Sequence, residues 1–96
     1  MRVVVIEDEA PLREQLRTRL EAEGWMVDTS ADGEDGLFQL TEYPADVAVV
    51  DLGLPRLPGL EVIRRLRAGG GKVPVLILTA RSQWQEKVQG LEAGAD

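Results

Sequence analysis

Two rhythms of apolar and polar positions alternate along the chain. Arg2–Ile6 (RVVVI), Val47–Val50 (VAVV) and Val75–Leu78 (VLIL) are short aliphatic runs, as expected of strands buried on both faces. Trp25–Ser30 is a fourth strand candidate with more polar residues, which places it at a sheet edge. Between the runs, apolar residues recur at helical spacing. The stripes are Leu12, Leu16 and Leu20, then Leu37 and Leu40, then Leu60, Ile63 and Leu66, then Trp84, Val88 and Leu91. Gly24, Pro44, Gly69-Gly70-Gly71 and Gly94 stand where each helix should stop. Asp32-Gly33 reads as a turn. The triple glycine reads as a flexible loop with some helix-stop character.

Four strand–helix repeats with short connections predict an α/β, doubly wound parallel sheet with right-handed crossovers and helices on both faces. The 96 residues make one domain, 1–96. No linker, internal repeat or low-complexity tract divides it. With 44% hydrophobic and 29% charged residues, the chain has the composition of a globular domain. No apolar run approaches the ~20 residues that cross a bilayer, and no signal-like segment opens the chain. The expectation is a cytoplasmic protein with no membrane contact. The absence of Cys and His excludes disulfides, thiolate chemistry, zinc–imidazole sites and His acid–base catalysis. A net charge of −6 argues against direct DNA binding by this chain.

Open parallel sheets bind ligands beyond the carboxyl ends of their strands. Glu7 and Asp8 follow the first strand, Asp51 ends the third, and Thr79 ends the fourth. Taken singly, Glu7 and Asp8 could merely be acids near a helix N-terminus, and Asp51 an ordinary loop acid. Their joint placement brings three carboxylates and a hydroxyl together. Crowded carboxylates need a cation, and an oxygen-only donor set suits Mg²⁺ or Mn²⁺ better than zinc. Trp25 and Trp84 read as packing residues. Arg64, Arg65 and Arg67 read as the solvated face of the third helix.

The segments VVVIEDE, VVDLGLPRLPGLEVIRRLR, PVLILTAR and GLEAGAD, in this order and spacing, closely resemble the receiver domain of bacterial two-component response regulators, within them the OmpR/PhoP type. The resemblance runs from Met1 to Asp96. It implies a flavodoxin-like strand order of 2-1-3-4, with the fifth strand and helix of a complete receiver absent from this chain. It implies that Asp51 is the phosphoacceptor, supplied by a sensor histidine kinase. Asp8 would bind Mg²⁺ directly, Glu7 directly or through water, and the Gly53 carbonyl would be a further ligand. Thr79 would contact the phosphoryl group and act as a switch, and Pro55 would shape the loop after the acceptor. Gly53 and Arg81 would border the path of the hydrolytic water and help set the lifetime of the phosphorylated state. The phosphoryl-contacting lysine of the fifth strand has no counterpart, since Lys72 precedes strand four and Lys87 falls in helix four. The fourth strand would then be an uncovered edge.

The same resemblance implies a homodimer formed through the helix-four side, where Lys87 and Asp96 are polar candidates for cross-dimer pairs. It implies kinase recognition by helix one around Pro11–Leu20, and DNA binding only through a C-terminal winged-helix domain absent from this chain. Such a chain is a regulator that assists its own phosphorylation and dephosphorylation, not an enzyme acting on a separate substrate. Three other readings compete. An aspartyl-phosphate phosphohydrolase resembling haloacid dehalogenases would end its first strand in D-x-D, where this chain has adjacent Glu7-Asp8. A pure interaction module would have no use for Glu7, Asp8, Asp51 and Thr79. A nucleotide or flavin module would carry a Gly-rich loop after the first strand, but Glu7–Pro11 holds no Gly.

Overall fold

The computed structural model describes residues 1–78 and Gly94. The elements are β1 (Arg2–Ile6), α1 (Ala10–Ala22), β2 (Met26–Ser30), α2 (Gly33–Glu42), β3 (Val47–Asp51), α3 (Gly59–Ala68) and β4 (Val75–Leu78). Trp84, Val88 and Leu91, the expected fourth helical stripe, lie outside the described residues. The strands are all parallel, in the order β2-β1-β3-β4. This is the doubly wound order expected, with polar β2 at an edge.

β1 is the centre of the core. Val3, Val4, Val5 and Ile6 are all buried, because β1 has a paired strand on each side and helices over it. Ile6, Val50, Val62, Ile63 and Val75 belong to one continuous apolar cluster with Leu40, Leu54, Leu57 and Leu66. Burying each such side chain contributes ~1.5–3 kcal/mol. β3 is less uniformly buried than its sequence suggests, with Ala48 and Val50 inside and Val47 and Val49 half-buried. Leu76 in β4 is 56% exposed, as expected of strand four at an edge.

Helix ends follow local chemistry. α1 stops in a Schellman motif: Gly24 (φ 92) donates to the Glu21 carbonyl, and Trp25 donates to that of Leu20. The same motif ends α3, where Gly70 (φ 87) donates to Arg67 and Gly71 to Leu66. The triple glycine therefore has the helix-stop character expected of it, closed by these two hydrogen bonds. The Asp32-Gly33 pair is also more than a turn. Asp32 caps α2 by accepting from the Asp35 amide at 2.8 Å.

The Leu12, Leu16 and Leu20 stripe is only half-buried, and α1 has no fully buried residue. α3 is the opposite case, burying Gly59, Val62, Ile63 and Leu66 along one face. Arg67 departs from the solvated role expected of it. Its guanidinium donates to the Val73 carbonyl at 2.7 Å, to Gly71 at 3.1 Å and to Gly94 at 2.9 Å. It thereby ties α3 to the approach to β4.

Candidate functional site

The chain leaves β1 toward β2 on one side and later returns to β3 on the other. That reversal opens a crevice between the carboxyl ends of β1 and β3. Glu7 and Asp8 follow Ile6 at one side of it, and Asp51 is the last residue of β3 at the other. Carboxylate oxygens of all three lie within 4.8 Å of one another. Strand register fixes this meeting, because Ile6 pairs with Val50, directly before Asp51.

The three acids differ in surroundings. Glu7 is buried, 4% exposed, while Asp51 is half-buried and Asp8 exposed. Burial is the main cause that pushes the Glu7 carboxyl up from 4.5 to about 7. The Glu9 amide, donating to Glu7 Oε2 at 3.3 Å, opposes this, while Asp8 and Asp51 reinforce it. Burial likewise raises the Asp51 pKa. The Gly53 amide and a hydrogen bond with Glu7 oppose that rise, and Asp8 adds to it. Among the described residues, no ion pair involves Glu7, Asp8 or Asp51. The donor set fits a hard divalent cation: oxygen ligands only, one exposed carboxylate, and negative charge that the surrounding side chains leave unbalanced.

The loop after Asp51 is closely shaped. Leu57 donates to the Pro55 carbonyl at 2.8 Å across Arg56, whose φ is 68. An i to i+2 bond about a residue of positive φ is a γ-turn, a strained conformation. The Gly33 amide donates to the same Pro55 carbonyl at 3.3 Å, which anchors the turn to the start of α2. Gly53 lies beside Asp51, and a Cβ there would be 3.8 Å from Asp51 Oδ2. Thr79, Arg81, Lys87 and Asp96 lie outside the described residues.

Two further residues shape the site, and neither is conspicuous in the sequence. A Cβ at Gly59 would stand 2.2 Å from the Asp51 carbonyl oxygen. Only glycine allows α3 to start so close to the strand end. Arg13, in α1, reaches back so that Nη1 donates to the Glu7 carbonyl at 2.9 Å and to the Asp8 carbonyl at 3.4 Å. Gly59 sits before an amphipathic helix, where a small residue has many explanations. Arg13 sits six residues after Glu7, a separation that only the turn into α1 brings together.

Comparison with known proteins agrees with this geometry. Residues 3–96 match the model of the response regulator receiver domain. The two-component response regulator PhoP of Pseudomonas aeruginosa is 54% identical over the whole chain, and the transcriptional regulatory protein PhoP of Escherichia coli is 47% identical. The chain spans 43% of the length of either relative. Among solved structures, the receiver domain of Francisella response regulator 1452 superposes with a TM-score of 0.93 at 30% identity, over 99% of this chain and 78% of that one. The response regulator protein TrrA of Thermotoga maritima, in complex with Mg²⁺ and BeF, gives a TM-score of 0.87 at 30% identity, over 98% of this chain and 82% of that one. Strand order, the acid cluster at the crevice and these similarities agree: the chain belongs to the response regulator receiver domain family.

Proposed function

We propose that Asp51 is the phosphoacceptor of a two-component signalling domain and that Glu7, Asp8, Asp51 and the Gly53 carbonyl hold Mg²⁺, with Mn²⁺ as a substitute. The observation that carries this reading is the convergence of three carboxylates within 4.8 Å at the crevice between β1 and β3. In this reading Asp51 attacks in line the phosphorus of a phosphohistidine on a sensor histidine kinase. A P–N bond breaks as the Asp51 carboxylate forms a P–O bond, and the product is an acyl phosphate. The cation supplies charge neutralisation between carboxylate and phosphoryl oxygens. Glu7 must give up its proton to join the ligand set, and the Gly53 amide orients Asp51. Thr79 donates its hydroxyl to a phosphoryl oxygen and acts as the switch, while Gly53 and Arg81 border the attacking water that ends the signal.

The chain works as the cytoplasmic input domain, 1–96, of a longer transcription regulator whose C-terminal winged-helix domain reads DNA. The relatives' greater length and the regulatory names they carry support this reading. No described helix is long and apolar enough to cross a membrane, which is consistent with that setting. Phosphorylation favours a homodimer through the helix-four side, with Lys87 and Asp96 as contact residues, and the kinase docks around Pro11–Leu20. The direct test is intact mass after incubation with acetyl phosphate and Mg²⁺. One phosphoryl group is expected on the unaltered chain, and none on Asp51→Asn or after chelation. Absence of uptake in the full-length protein would favour a pure interaction module.

A further inference from the structure

We infer that Arg13 is a positioning residue that holds the Glu7–Asp8 backbone in the conformation able to take the divalent cation. The inference rests on the proposed cation site and adds to it a residue outside the ligand set. The loop between β1 and α1 has few other restraints. Glu9, at the N-cap of α1, makes no side-chain capping bond, and the first turn of the helix has no acid. The Glu7 amide donates to Ser30 at 2.9 Å and so fixes the end of β1. Beyond that point, among the described residues, the Glu9 amide donates to the Glu7 carboxylate alone, at 3.3 Å. That bond must compete with a metal for the same carboxylate. The Arg13 bonds go instead to the carbonyl oxygens of Glu7 and Asp8, at 2.9 and 3.4 Å. They leave both carboxylates free and fix the peptide planes from which those carboxylates project. Arg13 is itself half-buried, and its guanidinium lies against the loop through these two bonds.

Charge and position act in opposite directions here, which makes the inference decidable. A cationic side chain near the site opposes Mg²⁺ binding. If Arg13 acted through charge alone, Arg13→Gln would bind Mg²⁺ more tightly. If it acts by position, the same change frees the loop and weakens binding. Partners that orient metal ligands change affinity by about 10–100-fold when removed, and the lower end, about tenfold, is expected for Arg13→Gln. Arg13→Lys, one bond shorter and still charged, should fall between the two. Phosphoryl uptake from acetyl phosphate, which needs no kinase docking, should return close to the unaltered rate in Arg13→Gln at saturating Mg²⁺, since Asp51 is untouched.

The experiment is calorimetric Mg²⁺ titration of the full-length protein, Arg13→Gln, Arg13→Lys and Arg19→Gln, with urea unfolding of each. Arg19 is exposed near the end of the same helix and controls for general loss of charge. Weaker Mg²⁺ binding by Arg13→Gln, with Arg19→Gln unchanged and rate recovery at saturation, supports the inference. Mg²⁺ binding by Arg13→Gln that is unchanged or tighter overturns it. If the unaltered protein itself binds no Mg²⁺, the proposed cation site fails, independently of Arg13.

Discussion

The two ends of β1 solve the problem of charge in opposite ways. At the amino end, Arg2 is surrounded by acceptors. Its Nε meets Asp28 Oδ2 at 2.6 Å, its Nη1 donates to the Tyr43 and Pro44 carbonyls at 3.2 and 2.7 Å, and its amide donates to Asp46 at 2.7 Å. The guanidinium also lies 5.8 Å from the Tyr43 ring centroid. Every partner of that cation is internal, and the result is a staple joining β1, β2 and the approach to β3. At the carboxyl end, one residue past the strand, Glu7 meets Asp8 and Asp51, and among the described residues no cation forms an ion pair with any of these carboxylates. Burial raises the pKa values of Glu7 and Asp51, and the neighbouring carboxylates add to the rise. Internally balanced charge serves the fold, and unbalanced charge at a strand end marks where a ligand completes the molecule.

Substitutions can separate the two ends. Asp51→Asn should give the largest functional effect, complete loss of phosphoryl uptake by mass, while urea unfolding without metal shows no loss of stability because a half-buried carboxylate is replaced by a neutral amide. Gly59→Ala should disturb fold and site together, since its Cβ would collide with the Asp51 carbonyl. The expected cost is about 3 kcal/mol in urea unfolding, with slower uptake in the fraction that stays folded. Arg2→Met should cost about 2 kcal/mol through its lost charged hydrogen bonds, yet leave uptake unchanged. Parallel loss of uptake in Arg2→Met would show that the ends are not independent. Glu61→Gln removes the exposed pairs with Arg64 and Arg65 and should change the unfolding free energy by less than about 0.5 kcal/mol.

Much of this arrangement is legible along the chain because it depends on periodicity. Four strands, three helices and the edge position of β2 follow from which residues are apolar and how they are spaced. The convergence of Glu7, Asp8 and Asp51 follows from strand ends and parallel order. Periodicity says nothing about polar contacts across long separations. Arg2 and Asp46 meet across 44 residues, and Arg67 reaches Gly94 across 27, so Arg67 reads as one more exposed charge of α3. Close approach is equally silent. Gly33 reads only as part of a turn and Gly36 carries no signal in the sequence, yet added Cβ atoms would strike the Leu57 backbone and the Ile6 side chain. The Leu12, Leu16 and Leu20 stripe shows the converse limit: spacing identifies a helix face but not how far that face is covered.

The central claim is that the carboxylates beyond β1 and β3 take a divalent cation, and its most direct test is stability against pH with and without Mg²⁺. In the metal-free protein, folded Glu7 holds its proton up to about 7, whereas the unfolded chain releases it near 4.5. Between those values the folded state binds more protons, so stability falls as pH rises and levels off above about 7. In the proposed site Mg²⁺ would bind the deprotonated carboxylates, so its stabilising effect should grow through the same interval. Urea midpoints that decline across this interval without metal, and are restored by Mg²⁺ most strongly at its upper end, are the predicted result. Identical profiles with and without Mg²⁺ would contradict the account.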